Sequence, residues 1–459
     1  MASLLPDTAV AEVAPAPAAR RPPGVGRRAV VGLLYAALLS LPLSAGVHFD
    51  GLGAGLLVPA EPLLALTVLA GALHLAGARQ PLPRPALLDR LIAAHFGALA
   101  VATAFSPAWL VSLKFFSTLV LYALAGYALP RLLGFSRAEW YRAFGAFGVG
   151  AALLAVYAFG RYWQAGITHP ASYWIAQPFL EHGHTNLTVV LEPALLFGTL
   201  LLLYDRLRGA AWLAVLLAVV VLISVVAFTY SRASYVSLLV QGLVLLGFGN
   251  GMARRRLAGL SVLVLALMVT CWQAIDLLHP AETAKDTATV VGELKTVSNF
   301  TPQNSSNAER LNRWRVALQL WEDEPTVGLG PGTFPDRYLD YVRDTPGYPT
   351  YESTLQRMNT HNLYLGWLTD AGLLGVLSGL VLLGYVLQRQ LRQTLRRPTP
   401  ELVGMAAYFL YFVLHSAAQD FWQEPRVMLM FWLVLGFQRE VFRARARKQR
   451  RLAAAAAAS

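Results

Sequence analysis

Apolar residues in this chain fall into long blocks separated by short polar stretches. Residues 29–46 (AVVGLLYAALLSLPLSAG) and 210–228 (AAWLAVLLAVVVLISVVAF) contain no charged side chain. Each approaches the ~20 residues that cross ~30 Å of hydrocarbon. The pattern predicts an all-α polytopic membrane protein of about twelve transmembrane helices. They are expected near 29–46, 54–77, 91–105, 108–128, 143–161, 187–204, 210–229, 235–250, 257–275, 363–387, 402–418 and 426–441. The domain plan is then a basic tail (1–28), helices one to nine (29–275), a loop domain (276–361), helices ten to twelve (362–441) and a second basic tail (442–459). Both tails are expected to be disordered or, at the C-terminus, to lie on the membrane surface. No repeat relates the two halves, as it often does in transporters.

Composition agrees with this reading. Of 459 residues, 56% are hydrophobic and 14% charged, against about 25% charged in soluble domains. The net charge of +12 would suit nucleic acid, but its distribution points elsewhere. The N-terminal tail, the short loops around Arg84, Arg137, Arg206, Arg255 and Arg396, and the C-terminal tail hold most of the basic residues. In a twelve-span arrangement all of them fall on one side, which the positive-inside rule makes cytoplasmic, with both termini. The excess is therefore a topology signal and an attraction to anionic membrane lipid. The single cysteine, Cys271, excludes an internal disulfide framework and a multi-cysteine metal site.

The long outer loop holds one bounded helix, over 305–325. Ser306 and Glu309 form a capping box, and Pro325 stops the helix. Leu311, Trp314, Ala317, Leu318 and Trp321 share a face. At ~100° per residue, Arg310 lies roughly 45° from the centre of that stripe, and Arg313 and Arg315 about 100° away. Arg310 is thus expected to point toward packing, where it needs an anionic partner from the protein or a ligand. Arg313 and Arg315 are expected on solvated flanks. The glycines that follow, including Gly328 and Gly330 in TVGLGPGTF, permit close backbone approach without forming a phosphate-loop pattern.

Other polar residues gather at the same predicted face. Arg232, in TYSRASYVS, sits at or just within the outer boundary, where it faces a cavity or reaches the headgroups. His361 opens the tenth span. It is either a proton acceptor near neutrality or the donor of one structural hydrogen bond. Asn362 suits a helix cap. His182 and His184 lack the carboxylates of a metal site. Lys114 is a candidate counter-ion near the outer side, and Glu192, deeper in the sixth span, is expected to pair internally.

Three stretches taken in order resemble a known family. They are SRASYVSLL, then ERLNRWRVAL…EDEPTVGLGPGTF, then THNLYLGWLTDAGLLG. Serine–arginine before a span, R-x-x-x-W followed by P-x-x-G-x-G, and H-N opening a helix that ends in G-x-x-G resemble the O-antigen ligase/polymerase superfamily of WaaL/Wzy type. The likeness covers about 230–375 by motif. It implies a glycosyltransferase of the bacterial inner membrane that acts at the periplasmic face. Such an enzyme moves a glycan from an undecaprenyl-diphosphate carrier to an acceptor hydroxyl on lipid A–core or similar, with no metal, cofactor or nucleotide sugar. The resemblance selects Arg232 and Arg310 as holding the diphosphate and His361 as the general base. Arg313 and Lys114 become secondary contacts with the diphosphate. Ser231, Asn362, His184, Gly328 and Gly330 complete the expected substrate-contacting set. The implied partners are the carrier-linked donor, a glycan or lipid acceptor and membrane lipids, not nucleic acid. A polymerase joining carrier-linked repeats is the alternative within the family; a twelve-span transporter or flippase is the alternative outside it.

Overall fold

The computed structural model describes residues 25–49, 54–78, 83–180, 183–204, 207–278, 305–344 and 359–458. The expected tail up to residue 24, His182, Arg206 and much of the expected loop domain lie outside these described residues.

The chain begins with α1 (Val25–Ser40) and a β-hairpin, β1 (Ala45–Phe49) with β2 (Ala54–Val58). Then come α2 (Ala60–Ala78), α3 (Leu87–Phe105), α4 (Trp109–Leu132), α5 (Arg137–Ala165), α6 (Gly183–Tyr204), α7 (Gly209–Phe228), α8 (Arg232–Phe248) and α9 (Gly251–Leu278). Beyond them are α10 (Ser305–Asp323), α11 (Phe334–Asp344), α12 (Leu363–Arg396), α13 (Pro400–His415) and α14 (Pro425–Ala458). Among the described residues nine helices are long and apolar enough to cross a membrane. This is an all-α polytopic membrane fold. Each of the twelve expected segments falls on a helix, but α8 and α13 are apolar helices below that length, and α14 carries its apolar stretch only at its N-terminal end. Helix α8 begins at Arg232, and α13 ends at His415, four residues before Gln419.

Two boundaries differ from expectation. The segment expected to open a helix at 54 is instead strand β2, paired antiparallel with β1 from Ala45↔Val58 to Phe49↔Ala54. Gly46, Gly51, Gly53 and Gly55 disfavour helix there. Helix α2 starts only after Pro59, with Glu61 accepting from Leu57 N–H at 3.0 Å. At the other end, the basic tail 442–459, expected on the membrane surface or disordered, continues α14 as helix to Ala458, because its alanines and arginines are strong helix formers.

Buried charges tie the bundle at both ends. Arg426, 3% exposed, bonds Glu424 at 2.9 Å, Leu41 O at 3.2 Å, and Ser44 O and Phe179 O at 2.7 Å each. Asp89 receives Arg131 at 2.6 Å, Tyr127 at 2.7 Å, and Arg439. Glu192 pairs internally as expected, with Ser237 at 2.8 Å and His415 at 3.8 Å.

Helix α12 is broken at Ala371 (φ −139°, ψ 22°) and Gly372 (φ 58°, ψ −153°). A broken helix at membrane depth must have its freed backbone groups satisfied by protein. Residues 325–330 do this: Leu329 N–H donates to Thr369 O at 2.9 Å, Gly330 N–H to Asp370 O at 3.0 Å, and Leu373 N–H to Pro325 O at 2.9 Å. Gly328 has φ +68°, and a Cβ there would lie 2.6 Å from Gly372 N and Thr369 O. A Cβ on Gly330 would meet Ser106 Oγ at 2.2 Å. The two glycines therefore dock the outer loop onto membrane helices.

The buried face of α10 is also not the expected one. Asn312, Arg313, Val316, Ala317 and Leu320 are buried, while Leu318 is 43% exposed. That face is rotated about 130° from the Leu/Trp stripe. It packs with Leu329, Phe334 and Tyr338 over the broken helix. Arg313, expected on a solvated flank, is only 2% exposed and pairs with Glu309 at 3.5 Å. Arg310 stands at the edge of the buried face. Arg315 is exposed, as expected.

Candidate active site

A sharp turn separates α7 from α8. Thr229 Oγ1 donates to Val226 O at 2.6 Å, and Tyr230 takes a positive φ of 57°. The turn delivers Ser231 as the buried residue before α8 and Arg232 as its first residue. Ser231 Oγ accepts from Ser234 Oγ at 3.1 Å, and that hydroxyl also reaches Thr188 at 2.6 Å. Ser231 thus braces the α6–α8 contact.

Arg310 arrives from the outer loop, and its charge and that of Arg232 act on one another. Burial lowers the Arg310 pKa to about 10; Arg232 and Arg313 push the same way, and Glu309 opposes them. His184, in the first turn of α6, feels both arginines. Its ring stands edge-on to Tyr173 (4.6 Å between centroids) and tilted against His169 (5.9 Å). Its Nδ1 is buried without a hydrogen-bond partner. The result is a concentration of partly desolvated positive charge, which an incoming anion would relieve.

His361 has φ 46°, a left-handed conformation uncommon outside glycine, asparagine and aspartate. Asn359 supports it by accepting from His361 N–H at 2.9 Å. Gln419 sits at 2.7 Å from His361 Nδ1, through Oε1. The same amide donates its Nε2 to Asn186 Oδ1 at 2.9 Å. Since the Gln419 oxygen can only accept, His361 Nδ1 carries the proton and donates. The neutral ring then holds its lone pair at Nε2, as a base requires. Asn186 lies two residues after His184, so the first turn of α6 joins the imidazole of His361 to the arginine pair.

Asn362 is the N-cap of α12. Its Oδ1 accepts from Tyr364 N–H at 3.0 Å and Leu365 N–H at 3.1 Å, and its Nδ2 donates to Ala417 O at 3.1 Å. It holds His361 in place by fixing the helix start. Lys114 lines a separate cavity of about 320 Å3 with Glu61, Asn186, Trp422, Gln423 and Glu424. Neither Arg232 nor Arg310 lines that cavity, but Asn186 connects it to His361 through Gln419.

Asp420 lies under Thr360, accepting from its hydroxyl at 3.3 Å. Burial raises its pKa to about 7, against the hydrogen bonds from Trp422 N–H and Thr360. Its folded value exceeds its unfolded value, so the folded protein holds a proton that the unfolded chain has released. The resulting penalty is absent below about pH 4, grows with pH, and is complete above about pH 7. Asp420→Asn should flatten this part of the pH dependence of thermal unfolding; an unchanged slope between about pH 5 and 8 would count against it.

Gln419, Asn186, His169 and Asp420 carried no distinguishing signal in the sequence. Gln419 is 58 positions from His361, and only the fold pairs them. A glutamine–aspartate step at the outer end of a span was the available hint.

The family model described as O-antigen ligase matches residues 217–380. The matched stretch contains Arg232, Arg310, Arg313 and His361, while His184, Asn186 and Gln419 lie outside it. No curated protein matches the chain.

Proposed function

We propose that the chain, matched over residues 217–380 by the O-antigen ligase family model, acts as a member of the O-antigen ligase/polymerase superfamily and transfers a glycan from an undecaprenyl-diphosphate carrier to an acceptor hydroxyl. The coarser statement, a membrane enzyme of O-antigen ligase or polymerase type, follows from the family. The observation that carries the finer reading is the joining of Arg232, Arg310 and His361 through the first turn of α6. Three helices also begin there: α6 at Gly183, α8 at Arg232 and α12 at Leu363. Helix N-termini carry partial positive charge that favours anions; at α12 the first N–H groups are already bonded to Ser416 O and Asn362 Oδ1, so only its dipole contributes. A lipid diphosphate is the anion that this chemistry suits.

In the proposed step, the acceptor oxygen attacks the anomeric carbon of the donor sugar. The bond from that carbon to the diphosphate oxygen breaks, and the leaving diphosphate takes its electron pair. Arg232 and Arg310 offset the charge that develops on it, as fixed donors in a site of low dielectric. The hydroxyl proton passes to Nε2 of His361. A single displacement inverts the anomeric centre. Gln419 keeps the imidazole in the tautomer that can accept the proton. The positive-inside charge pattern supports a site on the periplasmic side of a bacterial inner membrane, with both termini cytoplasmic.

The test is reconstitution of the purified chain with a defined undecaprenyl-diphosphate glycan and candidate acceptors, in detergent and without a gradient. Glycan on the acceptor is expected. Longer carrier-linked chains would identify a polymerase instead. No transfer with any acceptor, together with carrier movement across vesicles, would make the protein a transporter and end the proposal.

A further inference from the structure

At the opposite end of the bundle lies a second polar region that the transfer reaction does not use. Two cavities meet there and share Arg137, Glu401 and Phe437. The first, about 600 Å3, is rimmed by Arg137, Arg397, Arg445 and Lys448, with Glu401 and Glu440. The second, about 760 Å3, runs between α5, α6, α13 and α14. Its walls include Phe144, Phe147, Leu196, Phe197, Leu200 and Val434, with Arg142 at its mouth. Both volumes fall within the ~300–1,000 Å3 of small-molecule sites. Leu201, on the wall, is about 25 Å along α6 from His184, so this region is separate from the candidate active site.

Several groups here are unsatisfied. Arg445 Nη1 is buried with no hydrogen-bond partner. Burial and the neighbouring Arg397 hold the Arg445 guanidinium below the usual arginine value. Arg137 is paired with Glu401, and Glu401 also accepts from Tyr141 at 3.0 Å. That leaves Arg142, Arg397, Arg445 and Lys448 facing few acids. On the apolar side, the hydroxyls of Tyr204 and Tyr408 are buried without partners; Tyr408 is 3% exposed. The apolar lining of the second cavity suits hydrocarbon, which would gain dispersion contacts along it. Helix α14 extends this basic surface through Arg443, Arg447, Arg450 and Arg451. Basic clusters just beyond a membrane helix attract anionic lipid.

We propose that the paired cavities are a site for an anionic glycerophospholipid of the cytoplasmic leaflet, with its phosphate among Arg142, Arg397, Arg445 and Lys448 and an acyl chain between α5, α6 and α13. The cationic rim selects the charge of the headgroup. The apolar cavity selects hydrocarbon. The site clamps α13 and α14, whose other ends carry Gln419 and its neighbours, so occupancy steadies the outer site from below.

Native mass spectrometry of the full chain, purified in detergent and titrated with cardiolipin, phosphatidylglycerol or phosphatidylethanolamine, tests this directly. The anionic lipids are expected to show about tenfold higher occupancy than the zwitterionic one, equivalent to ~1.4 kcal/mol. Combined Arg445→Ala and Lys448→Ala should abolish that preference. Gly145 lines the apolar cavity, and a Cβ there meets nothing within 4 Å. Gly145→Leu should therefore extend an apolar side chain into the cavity and reduce retention of every phospholipid, with thermal unfolding of the delipidated protein no lower than that of the parent. Equal binding of zwitterionic and anionic lipid overturns the proposal, as does unaltered retention in both variants. Undecaprenyl phosphate competing at the Gly145→Leu-sensitive site overturns the assignment to a glycerophospholipid.

Discussion

Replacing His361 with alanine is expected to lower glycan transfer by about 10²–10⁴-fold, the range that a positioned general base supplies, while the protein still inserts and accumulates. The imidazole is half-buried at the head of α12 and stands outside the buried apolar clusters. Its backbone, with φ 46°, carries a strain that alanine shares, and the lost bond to the buried Gln419 amide costs about 1–3 kcal/mol of stability. Gln419→Leu separates the base from its orientation. It keeps the imidazole but removes the acceptor that holds the Nδ1 proton, so the ring loses its tautomer bias. A smaller loss, on the order of tenfold, should accompany a displaced pH–rate profile. Transfer by His361→Ala within about threefold of the parent enzyme would remove the base from the mechanism.

The arginine pair gives the second large effect. Arg232→Ala and Arg310→Ala should each cost about 10²–10³-fold in turnover, as removing one oxyanion donor does, and the double variant should lose less than the product of the two. Lysine at either position keeps the charge but not the planar fork, so activity should be only partly restored. Stability should move the other way. Arg310 is desolvated, and Arg232 and Arg313 both act against its charge. Deleting it relieves repulsion, so Arg310→Ala should melt no lower than the parent protein when substrate is absent. If Arg310 instead served an internal ion pair, the same substitution would destabilise. Thermal unfolding and turnover, measured on one preparation, separate the two roles.

Much of this architecture was legible in the chain. Charge-free blocks such as 210–228 can only be satisfied inside a membrane or a large core, and they became helices. The order of motifs brought Arg232, Arg310 and His361 forward as candidates. Three features were hidden, for distinct reasons. The hairpin at 45–58 reads as apolar, and only its glycines speak against helix. The face of α10 was misjudged because the helix lies over the polar top of a bundle, where Asn312 and Arg313 are buried and Leu318 is not. Periodicity assumes that the buried side is the apolar side, and that assumption fails there. Gln419 and Asn186 were invisible because their role depends on three helix ends meeting, which no local pattern encodes.

The docking of residues 325–330 onto the break in α12 has an evolutionary corollary. The contact runs between main-chain atoms, from Leu329 to Thr369 and from Leu373 back to Pro325. It is therefore indifferent to side-chain identity at exposed positions such as Thr326. Drift in sequence there leaves the register of α10 untouched, whereas the gain or loss of one residue between Asp323 and Gly330 slides Arg310 away from Arg232. Homologous chains should accordingly tolerate substitutions at the exposed positions of this stretch, though not at Gly328 or Gly330, while keeping its length constant.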